Sequence, residues 1–165
     1  MREISIKQIV FKKKTITVKM LDSYEEIYES LLYYKKKLRS LDSGKVKTDK
    51  LAQKYEMHAS VITLSDNEKR VGFSAFYNND EKTHQAFISS IVIASDYEGQ
   101  GYGSLLLTII EKICIETGME SILLETYKTN DRAKKFYMKN GYVEQGDNND
   151  NKVYYKKVLN KDNNS

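Results

Sequence analysis

The chain has 165 residues, 40% of them hydrophobic and 30% charged, and its formal net charge is +4. This length suits one globular domain, which we expect over residues 1–159, followed by a disordered tail over residues 160–165. No apolar stretch is long enough to span a membrane, and the N-terminus lacks the apolar block of a signal peptide. A single cysteine, Cys114, cannot form an internal disulfide, so we expect a reducing, cytoplasmic environment.

The lysines are concentrated in residues 11–14 and 33–50. Such an excess can attract polyanions, but the chain has no zinc-ligand spacing and no RNA-binding aromatic motif, so a solvated lysine-rich surface is favoured. His58 and His84 lie far apart in the sequence, with no cysteine near either. We therefore expect no nucleic-acid partner, no membrane partner and no metal site.

The first half of the chain combines strand and helix patterns. Strands are predicted over residues 4–11, 15–20, 60–65 and 70–77, and helices over residues 23–41 and 48–59. Ser23 precedes the first helix and Glu26 follows three residues later, which is the spacing of a capping box. The stretch "SDNE" predicts a hairpin turn between the third and fourth strands.

The second half is ordered as strand, glycine loop, helix, strand, helix and two strands. The strands are predicted over residues 86–94, 120–127, 142–146 and 152–159. Residues 86–94 are apolar on both faces, which predicts a buried central strand. The helix after the loop carries an apolar stripe of Leu106, Ile109, Ile110 and Ile113. The order predicts a mixed α/β fold of the α+β type, with a central mixed sheet flanked by helices.

Three glycines, Gly99, Gly101 and Gly103, lie between the buried strand and the following helix. Backbone N–H groups in such a loop, together with the helix N-terminus, can bind a phosphate. The spacing matches neither the nucleoside-triphosphate loop nor the dinucleotide-binding fingerprint. Taken alone, the loop is equally consistent with a tight turn.

The loop and a second motif downstream together resemble the GNAT superfamily of acyl-CoA N-acyltransferases. Residues 98–103, "EGQGYG", stand where that family has [RQ]-x-x-G-x-[GA]. The family's N-x-x-A-x-x-x-Y motif, ending in K-x-G-[FY], is matched by Asn130, Ala133, Tyr137, Lys139, Gly141 and Tyr142. The resemblance spans roughly residues 86–146 and implies the GNAT-like fold, with acetyl-CoA as co-substrate.

The resemblance also implies where the coenzyme binds. The expected groups are the main chain at Ile91, Val92 and Ile93, the backbone amides of Glu98, Gly99, Gln100, Gly101, Tyr102, Gly103 and Ser104, and Asn130 and Ala133. Glu98 departs from the family pattern, which has Arg or Gln at this position. A carboxylate beside a diphosphate is repulsive, and Lys128, Lys134 and Lys135 are candidates to compensate it.

Acyl transfer from a thioester to an amine needs a proton acceptor for the amine, donors for the oxyanion and a proton for the departing thiolate. Tyr137 stands where the family usually places its acid, and at neutral pH a tyrosine carries its proton. Glu125, in an otherwise apolar strand, is the candidate base. The alternatives are a packing role for Tyr137, a structural role for Glu125, and a base acting through water. A backbone N–H near Ile93 is the expected oxyanion donor.

The leading interpretation is an acetyl-CoA-dependent N-acetyltransferase, monomeric or homodimeric, that acts on the primary amine of a small molecule. Amino sugars, polyamines and amino acids are the acceptor classes considered. Two alternatives stay open, a non-catalytic coenzyme A-binding module and an enzyme acting on a protein or peptide amine.

Overall fold

A computed structural model describes residues 6–148 and 150–160. The strands are β1 (Ile6–Phe11), β2 (Lys14–Leu21), β3 (Ser60–Asp66), β4 (Lys69–Tyr77), β5 (Gln85–Ile93), β6 (Ser121–Tyr127), β7 (Val143–Asp147) and β8 (Lys152–Val158). The helices are α1 (Tyr24–Tyr34), α2 (Arg39–Asp42), α3 (Thr48–His58), α4 (Tyr102–Glu116) and α5 (Asp131–Lys139), with 3-10 turns at Lys35–Lys37 and Ser95–Tyr97.

The strands form one mixed sheet in the order β1-β2-β3-β4-β5-β6-β8-β7. Strands β5 and β6 pair in parallel, while β1 to β4 form consecutive antiparallel pairs and β8 pairs antiparallel with both β6 and β7. The predicted mixed α/β fold is thus confirmed. Residues 4–5 of the first predicted strand and residues 161–165 of the predicted tail lie outside the described residues.

The chain divides into two compact units, Met1–Phe76 with Ser89–Leu106, and Tyr77–Ile88 with Leu107–Ser165. Large buried side chains of the first unit include Tyr34, Tyr55 and Phe73. In the second unit, Tyr142 and Tyr155 are almost completely buried. The organisation as a single domain over residues 1–159 stays a prediction.

Two helix starts predicted from local sequence are confirmed by their caps. The Glu26 N–H donates to the Ser23 hydroxyl at 3.2 Å, and α1 begins at the next residue after Ser23. The Ala133 N–H donates to Asn130 Oδ1 at 3.1 Å at the start of α5. Each cap satisfies an N–H that the first helical turn cannot pair internally.

The single helix predicted over residues 23–41 is wrong in its second half. Helix α1 ends at Tyr34, a 3-10 turn follows, and Leu38 is extended before the short α2. The three lysines 35–37 have no acidic residue four positions away to support a longer helix. Leu41, which lies in α2, is nevertheless buried, so the apolar periodicity continues beyond the break in the helix.

Strand β5 is not buried on both faces, contrary to the prediction. Ala86, Ile88 and Val92 are buried, whereas Ser89 is exposed and Ile93 is only half-buried. The apolar residue types of β5 therefore predict more burial on the second face of the strand than the structure shows. The C-terminal half of β5 keeps side chains that solvent can reach.

The apolar stripe of α4 is also rotated from its predicted position. Leu106 and Ile110 are buried as expected, together with Cys114, while Ile109 and Ile113 are half-buried. Burial raises the pKa of the Cys114 thiol to about 12, as expected for a core thiol and not for a nucleophile. Within residues 6–148 and 150–160, no helix is long and apolar enough to cross a membrane.

Candidate active site

The glycine loop before α4 contains two residues with left-handed backbone conformations. Gly99 has φ +72° and Gly101 has φ +90°, values that side-chain-bearing residues rarely adopt. Gly103 lies within the first turn of α4, so only two of the three glycines are required for backbone geometry. The first N–H groups of a helix have no intrahelical partner, which makes this turn suited to a phosphate.

The hairpin of β1 and β2 holds this loop from one side. A Cβ added at Gly101 would lie 3.3 Å from the Phe11 ring, and Phe11 packs against Tyr102 with ring centroids 4.9 Å apart. The Lys12 ammonium donates to the carbonyl oxygen of Gln100. The loop is therefore fixed in place by side chains from the N-terminal hairpin.

The negative charge of Glu98 is compensated by Lys37, which forms an ion pair with it. Lys37 lies in the 3-10 turn after α1. Two of the lysines suggested for this role have other partners, since Lys128 lies 2.7 Å from Asp147 and Lys134 lies 3.9 Å from Asp131. Compensation thus comes from the first half of the chain.

The C-terminal end of β5 is closely packed against β4. A Cβ at Gly72 would lie 2.8 Å from Ile93 Cδ1 and 3.2 Å from the Val92 carbonyl oxygen. The Ala94 N–H donates to the Val71 carbonyl oxygen at 2.8 Å. A side chain at position 72 would therefore displace the end of the Ile93 side chain and crowd the Val92 carbonyl oxygen, within the predicted pantetheine-binding segment.

Three hydroxyl groups meet in the middle of β5. The Tyr55 hydroxyl, on α3, lies 2.7 Å from Ser89 Oγ and 2.6 Å from Ser90 Oγ. Tyr55 is almost fully buried, and burial raises the pKa of its hydroxyl. The Ser74 hydroxyl donates to the Ser90 carbonyl oxygen at 2.7 Å. These hydrogen bonds hold β5 in place at Ser89, whose side chain is exposed to solvent.

In the second unit, Tyr137 lies in an aromatic cluster. Its ring centroid is 5.3 Å from that of Phe136, 6.0 Å from that of Tyr142 and 6.1 Å from that of Tyr155. Burial raises the pKa of the Tyr137 hydroxyl to about 12. The group is therefore neutral across the physiological range, and it is a weaker acid than a free thiol, whose pKa is about 8.5. Packing and hydrogen-bond donation by the neutral phenol are both compatible with this position.

Both carboxylate oxygens of Glu125 have partners. Lys152 donates to Oε1 at 3.1 Å, and the Asn148 amide donates to Oε2 at 2.9 Å. About a quarter of the Glu125 side chain is exposed. These partners explain how a carboxylate is accommodated in an apolar strand, and they are what the structural alternative requires.

Asn130 and Ala133 are hydrogen-bonded to each other at the start of α5. The Asn130 Oδ1 atom and the Ala133 N–H form the helix cap described above, so these two groups are used within the protein. Cofactor binding by this pair, as the resemblance implies, would fall to the remaining polar atoms of Asn130. That assignment stays a prediction.

Sequence reasoning did not identify four residues that shape this region, namely Lys12, Lys37, Tyr55 and Gly72. Lys37 and Glu98 are 61 positions apart, and Tyr55 and Ser89 are 34 apart. Neither a periodicity nor a short motif joins residues at such separations. The local signals were the two lysine runs, residues 12–14 and 35–37, which by themselves favour a solvated surface.

Comparison with known proteins decides what this architecture is. A family model described as the acetyltransferase (GNAT) family matches residues 20–142, which is most of the chain. The chain belongs to the GNAT family of acetyltransferases. The predicted family and enzyme class are therefore confirmed, and acetyl-CoA is the co-substrate that GNAT enzymes use.

Solved structures agree with this acetyltransferase in fold. The GNAT domain of PAT from S. lividans is 15% identical, with a TM-score of 0.74 over 93% of this chain and 97% of that one. A protein from Bacillus anthracis assigned as a streptothricin acetyltransferase, in complex with acetyl coenzyme A, is 24% identical, with a TM-score of 0.58 over 66% of this chain and 68% of that one.

The ribosomal-protein-S18-alanine N-acetyltransferase from Escherichia coli also resembles the chain. It is 16% identical, with a TM-score of 0.69 over 87% of this chain and 94% of that one. Among curated proteins, no sequence matches this acetyltransferase. The structural neighbours thus include proteins named for a small-molecule acceptor and for a protein acceptor.

Proposed function

We propose that this acetyltransferase transfers the acetyl group of acetyl-CoA to the primary amine of a small molecule. In this proposal the backbone amides of residues 98–104 bind the diphosphate, and the main chain of residues 91–93 pairs with the pantetheine arm. When bound, the coenzyme supplies the acetyl group as an activated thioester. The observation that carries the proposal is the positive φ of Gly99 and Gly101 at the N-terminus of α4.

The residues present fit a diphosphate at this loop. Side chains at positions 99 and 101 would strain the backbone, and a Cβ added at Gly101 would lie 3.3 Å from the Phe11 ring, closer than ordinary van der Waals contact. Lys37 neutralises Glu98, the one acidic side chain whose position departs from the family pattern. The N-terminus of α4 adds the positive end of the helix dipole.

Tyr137 is proposed to assist the departing thiolate. Because its pKa of about 12 lies above that of a thiol, complete proton transfer from the phenol to the thiolate is unfavourable at equilibrium. A neutral phenol can still donate a hydrogen bond to the developing negative charge, and we propose that Tyr137 acts in this way.

Glu125 is proposed as the proton acceptor for the amine, acting directly or through water. Lys152 and Asn148 would then orient its carboxylate, as an ordered base requires. The same two contacts are compatible with a structural role, and the variants in the Discussion separate the two.

A small acceptor is supported by a cavity in the first unit. It has a volume of about 650 Å³ and lies against the segment Ala94–Tyr97, which links β5 to the glycine loop. Cavities of a few hundred to a thousand Å³ are typical of small-molecule sites.

The donor is tested by thermal denaturation with acetyl-CoA, ATP and NAD in parallel, since a ligand that binds the native state raises its apparent stability. We expect stabilisation by acetyl-CoA. A response only to one of the nucleotides would refute the proposed donor site. Thiol release with a panel of amines then separates an enzyme from a binding module, because the module would bind acetyl-CoA without turnover.

A further inference from the structure

Cationic side chains outnumber acidic ones in the lining of the cavity of about 650 Å³. Lys36, Lys37, Lys69 and Arg70 contribute positive charge, against the carboxylates of Glu68 and Asp96. Among these four cations, Lys37 is paired with Glu98. Within residues 6–148 and 150–160, no carboxylate forms an ion pair with Lys36, Lys69 or Arg70. The lining therefore has a net positive charge, because these three cations face only the two carboxylates of Glu68 and Asp96.

Arg70 is held in place by two neighbouring side chains. Its Nη1 donates to the hydroxyl of Ser30 at 3.2 Å, and Ser30 is almost fully buried. The guanidinium lies over the ring of Tyr33, with 5.0 Å between Cζ and the ring centroid. One hydrogen bond and one stacked face leave most of its five N–H donors for another partner. A guanidinium fixed in this way is preorganised for a carboxylate or a phosphate.

A smaller cavity of about 220 Å³ adjoins the first, because Tyr34, Glu68 and Arg70 line both. The Tyr34 side chain is 2% exposed, and its hydroxyl has no hydrogen-bond partner in the described part of the chain. Buried hydroxyl groups normally have a partner. At the junction of the two cavities, the Arg70 guanidinium and the Tyr34 hydroxyl therefore have hydrogen-bonding groups that are available to a ligand.

We propose that this cavity binds an anionic group, a phosphate or a carboxylate, carried by the acceptor amine. The inference rests on the proposed function, since it assigns the cavity to the acceptor of that reaction. Arg70 and Lys69 bind the anionic group, and Lys36 adds long-range attraction. Polyamines are disfavoured acceptors because their charge has the same sign as the net charge of the lining side chains.

Acetyl-CoA also carries phosphate groups, so the donor is the other molecule that could place an anionic group in this cavity. The two sources are separated by comparing acetyl-CoA with acetyl-3′-dephospho-CoA in the Arg70→Gln variant. We expect the dissociation constants of both donors to be unchanged. A loss of affinity for acetyl-CoA alone would assign the cavity to the 3′-phosphate of the donor, and an equal loss for both donors would assign it to the diphosphate. Either result would overturn the proposal.

The acceptor is tested with pairs of amines that differ in one anionic group, namely glycine with glycinamide and glucosamine 6-phosphate with glucosamine, and with spermidine. In the wild type we expect the anionic member of at least one pair to have a kcat/KM about tenfold higher. That difference should disappear in Arg70→Gln and in Lys69→Ala, an exposed position that does not disturb Ser30. The control is Lys50→Ala, an exposed lysine of α3 outside the cavity.

Equal or better turnover of the neutral amines or of spermidine would overturn the proposal. If no amine of the panel is acetylated, the thermal shift with glucosamine 6-phosphate and inorganic phosphate decides, because it needs no turnover. A shift in the wild type that is lost in Arg70→Gln supports the site, and no shift refutes it. Failure of acetyl-CoA to bind in a separate titration would refute the proposed function and leave this phosphate measurement interpretable.

Discussion

Lys37 and Glu98 form an ion pair that joins the turn after α1 to the loop before α4. Glu98 is the residue at which this chain departs from the usual GNAT loop, and Lys37 neutralises the charge that would otherwise face a diphosphate. Both side chains are about one-third exposed, so solvent screens the pair and its contribution is modest.

Replacing Lys37 with alanine should weaken acetyl-CoA binding about two- to fivefold, the effect of losing about 0.5–1 kcal/mol from a partly exposed pair. Adding Glu98→Gln to that variant should restore the affinity, because the repulsive charge is then absent. Titration calorimetry measures both, with Lys50→Ala as the control. A double variant that binds acetyl-CoA as weakly as Lys37→Ala would show that the charge of Glu98 does not cause the loss of affinity.

Gly101→Ala should destabilise the fold by about 1–2 kcal/mol, because its φ of +90° is unfavourable for a residue with a Cβ. It should also weaken acetyl-CoA binding, since the added Cβ displaces Phe11 or the loop. Chemical denaturation and calorimetry report the two effects. Gly146→Ala is the matched control, because a Cβ there meets no atom within 4 Å. Equal behaviour of the two variants would contradict the assigned loop geometry.

Tyr137→Phe should lower kcat by about 10²-fold and leave the dissociation constant of acetyl-CoA unchanged, as expected for a lost hydrogen bond to the leaving group. The comparison is Tyr142→Phe, in the same aromatic cluster, which removes the 3.0 Å bond from the Tyr142 hydroxyl to Glu111. That variant should lose about 1 kcal/mol of stability and keep its kcat. An unchanged kcat in Tyr137→Phe would assign Tyr137 to packing.

The raised pKa of Tyr137 predicts a pH dependence of stability. Its folded value of about 12 lies above the unfolded value near 10. The stabilisation from burying the neutral phenol is therefore fully present below pH 10 and is lost as pH rises towards 12. Denaturation between pH 9 and 11.5 should show a steeper fall in the free energy of unfolding for the wild type than for Tyr137→Phe. Parallel curves would contradict the raised pKa.

Glu125→Gln should lower kcat by about 10²-fold if the carboxylate accepts the proton of the amine. Lys152→Met removes the 3.1 Å ion pair but keeps the carboxylate, so its kcat should fall much less. The measurements are thiol release at saturating substrate and the free energy of unfolding. Equal losses of stability in the two variants, with kcat unchanged in both, would establish the structural role.

Local signals in the sequence were sufficient for the order of the elements, the caps at Ser23 and Asn130, and the glycine loop. Each depends on residues within a few positions of one another, so the chemistry of the side chains specifies the local backbone. The family resemblance has the same origin, because its two motifs are short and lie in the matched order.

Tertiary structure alone decided which charges meet and which groups are buried. The partner of Glu98, the two partners of Glu125, the raised pKa of Tyr137 and the exposure of Ser89 all depend on segments that are distant in sequence. The break in the helix predicted over residues 23–41 belongs here too, since it places Lys37 beside the loop. Such pairings depend on how distant segments pack together, so they cannot be predicted from residue type and spacing.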